Sequence, residues 1–300
     1  MGTKLNIRPL TLTVGAEIEG VDLKQPLAPE TAKEIWAALL AWKVVFFRDQ
    51  HLNHEQQIAM GRAFGELTVA NQAYGPTSDY PEIFPVTKEA NEDRYNQDRL
   101  TTPWAEWHSD LMPAVNPPAA SILRGEIIPQ AGGDTHWTNL AAAYQALSPK
   151  MQELICDLHT VNKFPVRPDA RDDVRKNAQM ASEHPLVRVH PETGERILYL
   201  SPVYVQHIVE LTRRESQLLL QCLLEHIVRP EFTVRFKWNQ GDVGFWDNRA
   251  TAHLAPSDIY SVEDERLMYR VTLMGDVPIG VDGKPSRSIT GQAVSSPKAA

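Results

Sequence analysis

Apolar positions recur along the chain with two different periods. Ala32, Ile35, Trp36, Leu39 and Leu40 fall at i, i+3, i+4, i+7 and i+8, one buried face of a helix that Pro29 is suited to open. Val44-Val45-Phe46-Phe47 follows as an unbroken apolar run and reads as a fully buried strand. Ser148-Pro149 opens a further helix with Met151, Leu154, Ile155 and Leu158 on one face. Thr212-Arg213-Arg214-Glu215 is a capping box, and Leu218, Leu219, Cys222, Leu223 and Ile227 form the expected buried face of the helix behind it. From there the period drops to two. Phe232, Val234, Phe236 and Trp238 alternate with Thr233, Arg235 and Lys237; Asn239-Gln240-Gly241-Asp242 reads as a turn, and Val243 to Trp246 as the return strand. Leu267, Tyr269, Val271 and Leu273 then alternate with Arg266, Met268, Arg270 and Thr272. Strands separated by turns and long loops, with helices outside them, predict a mainly β protein with surrounding helices and a closed or sandwiched core.

The periodicity fades twice, over residues 66–102 and 163–183, and these stretches predict lids or inserts at about 66–104 and 160–184. The second carries Lys163, Arg167, Arg171, Arg175 and Lys176 and reads equally as a solvated face. The tail, about 284–300, is small and polar, and is expected to be mobile or ordered against a partner subunit. With no internal repeat, residues 1–300 read as one domain.

Composition narrows the function classes. The 30 Lys and Arg against 38 Asp and Glu leave a formal charge of −8, a poor basis for binding nucleic acid. The longest apolar run, Ile35 to Trp42, is well short of the roughly 18 residues of a membrane span, and Met1 to Asn6 carries no apolar signal region. Cys156 and Cys222, both in helical stretches, read as small core residues, and a reducing cytoplasm is the expected setting.

The candidate chemistry rests on Trp107-His108-Ser109-Asp110. On a strand, His108 and Asp110 would project from one face about 6–7 Å apart and could converge on one ion. His253, at the end of a predicted strand, is the candidate third ligand, and two imidazoles with one carboxylate suit non-haem Fe(II). Arg266 and Arg270 follow four residues apart, about 13 Å along one strand face, and two cations there imply anions to meet them. The other eight histidines, His184 and His190 among them, read as surface or packing residues. Arg249 reads as a salt-bridged brace of its turn, and Trp104 and Trp107 as pocket wall or core.

These segments, taken in order with Val14-Gly15-Ala16-Glu17-Ile18, Phe64-Gly65-Glu66-Leu67, Gly132-Gly133-Asp134-Thr135 and Trp246-Asp247-Asn248-Arg249, resemble the Fe(II)- and 2-oxoglutarate-dependent dioxygenases of the taurine dioxygenase and alkylsulfatase group. The resemblance implies a double-stranded β-helix, a cupin-like jelly roll. It implies His108, Asp110 and His253 as iron ligands, Thr135 and Arg266 at the far carboxylate of 2-oxoglutarate, and Arg270 near its chelating end and the substrate anion. Fe(II), 2-oxoglutarate and O2 are the implied cofactors and co-substrates. The implied reaction hydroxylates an unactivated C–H of a small anionic substrate, forming succinate and CO2; a sulfate ester or sulfonate then collapses to an aldehyde with release of sulfate or sulfite. Asp110, where a Gly or Ala would admit halide, favours hydroxylation over halogenation.

Two departures bear on the substrate. Ala70 stands where taurine-handling relatives carry a sulfonate-contacting His, and Leu111-Met112-Pro113 stands in place of their Val-Thr-Phe. The segment from Val277 to Gly283, with Ser286-Arg287, looks more like the alkylsulfatase branch. Ala70, Leu111, Tyr204 and Arg270 are the expected substrate pocket, and a homodimer or homotetramer is the expected assembly. A phenoxyalkanoate or other carboxylate dioxygenase is the alternative, and a metal-binding jelly roll with hydrolase or no redox activity a more distant one.

Overall fold

Strand β1 (Asn6–Pro9) turns back onto β2 (Ala16–Glu19), and helix α1 (Pro29–Trp42) then carries the chain to β3 (Val44–Phe47), which lies parallel to β2. This is a computed structural model, in which residues 5–70, 79–87, 102–103, 105–164, 179–256, 258–259 and 263–297 are described. Helix α2 (His54–Arg62) begins with a reciprocal Asn53–Gln56 capping box and is followed by β4 (Phe84–Thr87). The middle of the chain supplies β5 (Ala120–Ile127), β6 (Thr135–Asn139), α3 (Leu140–Gln145), α4 (Pro149–Ile155), β7 (His159–Lys163), β8 (Ala181–Pro185), β9 (Val187–Val189), β10 (Arg196–Leu198) and β11 (Val205–Ile208). Helix α5 (Arg213–Ile227) precedes β12 (Thr233–Phe236), β13 (Val243–Asp247), β14 (Thr251–Leu254), β15 (Leu267–Leu273), β16 (Ile279–Gly280) and β17 (Arg287–Thr290).

The large sheet runs β1-β2-β3-β13-β5-β15-β4, and a smaller sheet runs β12-β6-β14. Alternation along the central strands explains how the two pack. Val44 and Phe46 join Leu123, Trp246 and Met268 against Trp137, Val234, Phe236 and Trp238 of the small sheet and its flank. Phe46 stacks on Phe236 with ring centroids 3.9 Å apart and meets Trp137 edge-on. The other parity, Val45, Phe47, Ile122, Phe245, Val271 and Leu273, packs on Ile35 and Leu39 of α1 and Ile58 of α2. The 44–47 run is therefore unbroken because both of its faces are covered, one by a sheet and one by helices. The result is the expected mainly β jelly roll with helices outside.

Several sequence expectations change. The turn at 239–242 joins no hairpin: β12 pairs with β6, whereas β13 lies between β3 and β5, so the chain changes sheets there. Periodicity reports which face a residue takes, not which strand lies beside it. On α5 the buried face is Ser216, Leu220, Leu223, Leu224 and Ile227, with Leu218 61% exposed and Cys222 exposed. The leucine triplet 218–220 fits more than one helical phase, and packing selects the one through Leu220. Helix α4 has seven residues and buries Ile155, while Leu154 is exposed and Cys156 is half-buried, so neither cysteine is a core residue.

In the described part of the tail, β17 pairs with β8 of the same chain, and Val294 is buried with both its backbone groups bonded to the Asn116 amide. Strand β4 lies inside the first lid segment and pairs with β15, and β7 and β8 flank the second. Residues 71–78, 88–101 and 165–178, including Arg167, Arg171, Arg175 and Lys176, lie outside the described residues, as does Trp104. Trp107 is a buried core residue. Among the described residues no helix is long and apolar enough to cross a membrane. Because Phe46 joins the two sheets, Phe46→Ala should cost about 3–5 kcal/mol; the midpoint of urea unfolding should fall accordingly, and an unchanged midpoint would contradict this packing.

Candidate metal centre

His253 is the third residue of β14 and is paired in register with Trp137 of β6. On its other side it meets His108. The His108 N–H donates to the His253 carbonyl at 2.9 Å, and the His253 N–H donates back to the His108 carbonyl at 2.7 Å. This isolated two-residue bridge sets the imidazoles side by side, with ring centroids 4.2 Å apart. The expected His108–Asp110 strand is not formed: a turn follows the bridge, and Leu111 has a positive φ of 47°. Asp110 therefore reaches the histidines by turning back. Its Oδ1 is 3.9 Å from His253 Nε2, and one ligand atom from each of His108, Asp110 and His253 lies within 4.8 Å of the others. Ser109 is pinned beside them, its hydroxyl donating to the Thr251 carbonyl at 2.6 Å and its N–H donating to Ser201 Oγ.

Charge prepares these groups for a cation. Burial alone would raise Asp110, but the Arg270 guanidinium, His253, His108 and the Ser121 hydroxyl outweigh it and hold the carboxyl at about 2. Burial pushes His253 well below the ordinary histidine value, with His108 and Arg270 adding to the effect and Asp110 opposing it. At neutral pH the pair is a carboxylate beside a neutral imidazole with a lone pair to offer. His253 Nδ1 is buried with no hydrogen-bond partner among the described residues. Two imidazole nitrogens and one carboxylate oxygen form the donor set that suits non-haem Fe(II), so the residues present fit such an ion.

One arginine, Arg270, borders the group. Arg270 of β15 donates through Nη1 to Asp110 Oδ1, lies over the Phe84 ring, and among the described residues has no hydrogen-bond partner for its buried Nε. Arg266 lies one residue ahead of β15, and a register shift between Leu267 and Met268 separates the two, so they are not equivalent positions of one regular strand. Arg266 is buried and donates from Nε to the Gly133 carbonyl at 3.1 Å. Gly133 has φ +70°, and a Cβ there would sit 2.9 Å from Arg266 Cδ and Nε, so glycine is required on both counts. Two residues on, Thr135 opens β6 and accepts from Trp238 Nε1 at 2.9 Å. One glycine turn thus brings Arg266 and Thr135 into the same neighbourhood.

Of the expected pocket residues, Tyr204 clusters with Met112, Phe164, Tyr199 and Leu111, and its ring lies 6.4 Å from that of His108. Ala70 is half-buried and donates its N–H to the Pro81 carbonyl; the residues that follow it lie outside the described residues. Arg249 is the expected brace, paired with both oxygens of Asp247 and with Glu192.

Two residues carry more than sequence reasoning assigned to them. Ser121 donates to Asp110 Oδ2 at 2.6 Å, and the clue in the sequence is a lone hydroxyl in the apolar run of β5, where a buried polar group needs a partner. His184 is fully buried and ties the Met112 carbonyl, just beyond Asp110, to Ser286. Burial lowers it to about 4, the Met112 bond opposing and Arg188 assisting.

A family model described as "Taurine catabolism dioxygenase TauD, TfdA family" matches residues 6–272. The chain is 39% identical over 298 residues to an alpha-ketoglutarate-dependent sulfate ester dioxygenase of Pseudomonas putida, covering 95% of this chain and 94% of that protein. It is 36% identical to an alkylsulfatase of Acinetobacter baylyi, with 93% and 88% covered. The crystal structure of a taurine dioxygenase from Burkholderia xenovorans superimposes with a TM-score of 0.86 at 49% identity, covering 96% of this chain and 97% of that one.

His184 generates a pH prediction. An unfolded histidine takes up a proton near 6.5, whereas the native one stays neutral to about 4, so stability is lost as pH falls across that window. The lost stability should amount to roughly 3 kcal/mol. Urea unfolding of the protein and of His184→Gln across this range should show a shallower slope in the variant; equal slopes would exclude His184 as the source.

Proposed function

The chain belongs to the TauD, TfdA family of taurine catabolism dioxygenases, and from that premise we propose that it hydroxylates a small anionic organic substrate, an alkyl sulfate ester before a sulfonate. It is an Fe(II)- and 2-oxoglutarate-dependent dioxygenase. The observation that carries the substrate reading is the Arg270 guanidinium set directly beside the His108–Asp110–His253 group. A sulfate ester is preferred because Ala70 replaces a sulfonate-contacting His and because the relatives named for sulfate esters span nearly the whole chain.

In this reading His108, Asp110 and His253 hold the iron, the neutral imidazoles as lone-pair donors and the carboxylate as the anionic ligand. Arg266 and Thr135 hold the far carboxylate of 2-oxoglutarate; the Gly133 carbonyl on Arg266 Nε directs the guanidinium, whose planar fork suits bidentate pairing. Arg270 orients the substrate anion through donors that face the metal group. Leu111 and Tyr204 give the pocket an apolar wall that excludes water from the reacting C–H. When bound, Fe(II) with 2-oxoglutarate and O2 supplies the oxidant for an unactivated C–H, with succinate and CO2 as by-products. A hydroxyl placed on the carbon that bears the sulfate collapses to an aldehyde and releases sulfate; from a sulfonate the product would be sulfite. Residues 1–300 act as one catalytic unit in a cytoplasmic homodimer or homotetramer.

Anaerobic addition of Fe(II) and 2-oxoglutarate should produce a weak visible absorption band that His253→Ala lacks. Sulfate esters, alkyl sulfonates and phenoxyalkanoates should then be compared by succinate formation and by sulfate or sulfite release. Sulfate esters are expected to lead; succinate formation confined to phenoxyalkanoates would replace this substrate class, and the absence of both band and succinate would remove the reading. Restoring a donor with Ala70→His should raise sulfonate turnover relative to sulfate-ester turnover by about tenfold, the scale of one hydrogen bond to a charged group; an unchanged ratio would place Ala70 outside the pocket.

A further inference from the structure

Asp110 has two oxygens with different partners, and the difference traces back through three buried side chains. Oδ1 faces His253 Nε2 and Arg270. Oδ2 accepts from Ser121 Oγ at 2.6 Å, Ser121 Oγ accepts from Asn248 Nδ2 at 2.8 Å, and Asn248 Oδ1 accepts from Trp246 Nε1 at 2.8 Å. Trp246, Asn248, Ser121 and Asp110 are each at most 3% exposed. Strand register builds the chain of contacts: Trp246 of β13 is paired with Ser121 of β5, and the Asn248 N–H donates to the Ala119 carbonyl at 2.9 Å.

The proton direction in this chain has no freedom. An indole N–H can only donate, so the Asn248 oxygen must face Trp246 and its NH2 must face Ser121. Ser121 is then an acceptor from Asn248, and its one proton goes to the carboxylate. The carboxylate, paired on its other oxygen with the Arg270 guanidinium, accepts that proton.

We propose that Ser121 and Asn248 are positioning residues that hold Oδ2 of Asp110 and so keep Oδ1 turned toward the metal. The assignment rests on the ligand reading above. The large sheet therefore sets the orientation of the ligand carboxylate, because the strands that pack the core also carry Trp246 and Ser121.

The test is binding of Mn(II) alone, followed by the resonance of free Mn(II), on the full chain. Ser121→Ala should weaken binding about 10–100-fold, and Ser121→Cys, with a weaker donor at the same place, should fall between it and the parent protein. Asn248→Asp keeps Ser121 but cannot donate to it, so the hydroxyl turns away from Asp110; this variant should lose as much as Ser121→Ala. The double variant should be no worse than either single one, since both act through one bond. A lowered melting temperature with unchanged Mn(II) affinity would show a merely structural network and overturn the proposal, as would additive losses. His253→Ala is the control. If it loses Mn(II) while Ser121→Ala retains it, the positioning role alone falls. If the parent protein does not bind Mn(II), or His253→Ala binds it equally well, the ligand assignment falls and takes the positioning role with it.

Discussion

The pair of backbone hydrogen bonds between His108 and His253 is the constraint on which the site depends. One partner belongs to a regular strand of the small sheet, while the other lies in a segment without regular structure that this bridge ties to that strand. Reciprocal N–H to carbonyl bonds fix the relative position of two residues more tightly than side-chain contacts could, because both backbones are held. With the imidazoles so placed, the turn through Leu111 needs only to return one carboxylate. His184 on the Met112 carbonyl and Ser109 on the Thr251 carbonyl hold the ends of that turn, which keeps a ligand on irregular backbone from drifting.

Charge at the site runs against charge on the molecule. The chain carries −8 formally, yet the one carboxylate of the candidate metal group, Asp110, is met by the Arg270 guanidinium, and a second guanidinium, Arg266, lies four residues before it along the chain. Adding a divalent cation makes the site more positive still. Such a site would draw an anion to the interior of an acidic protein, and burial would strengthen that attraction by excluding water. Arg266 can be buried and Arg270 half-buried because each has an acceptor beside it, the Gly133 carbonyl for one and Asp110 for the other.

The large sheet joins stability to chemistry. On one parity its strands press Phe46, Leu123, Trp246 and Met268 into the inter-sheet core, and they also deliver Ser121 and Arg270 to the carboxylate and the Trp246 indole to Asn248 behind it. A change in register of β5 or β13 would break the core and misplace the ligand together, since one residue of slip moves every side chain to the opposite face. The polar residues of this sheet are affordable in a dry setting only because each is matched to a partner, and that matching gives the ligand oxygen its orientation.

Much of this was legible in the sequence by itself. Local covalent preferences and apolar spacing determined the opening helix at Pro29, the capping box at Thr212, the buried strand at 44–47 and the alternation after Phe232, because each depends on residues within a few positions of one another. The order of motifs also picked out His108, Asp110, His253, Arg266 and Arg270 as one set of residue types with one chemistry. Tertiary structure decided what spacing cannot encode: that the turn at 239–242 changes sheets, that α5 docks through Leu220 and not Leu218, that the tail adds a strand to β8, and that Asp110 reaches its partners by a left-handed turn instead of a strand. It also joined Ser121 to Asn248 and Asp110, residues up to 138 positions apart. Periodicity states which side of an element must be covered, but the identity of the covering group is set by hydrogen-bond pairing and packing between distant segments, and those exist only once the chain has closed on itself.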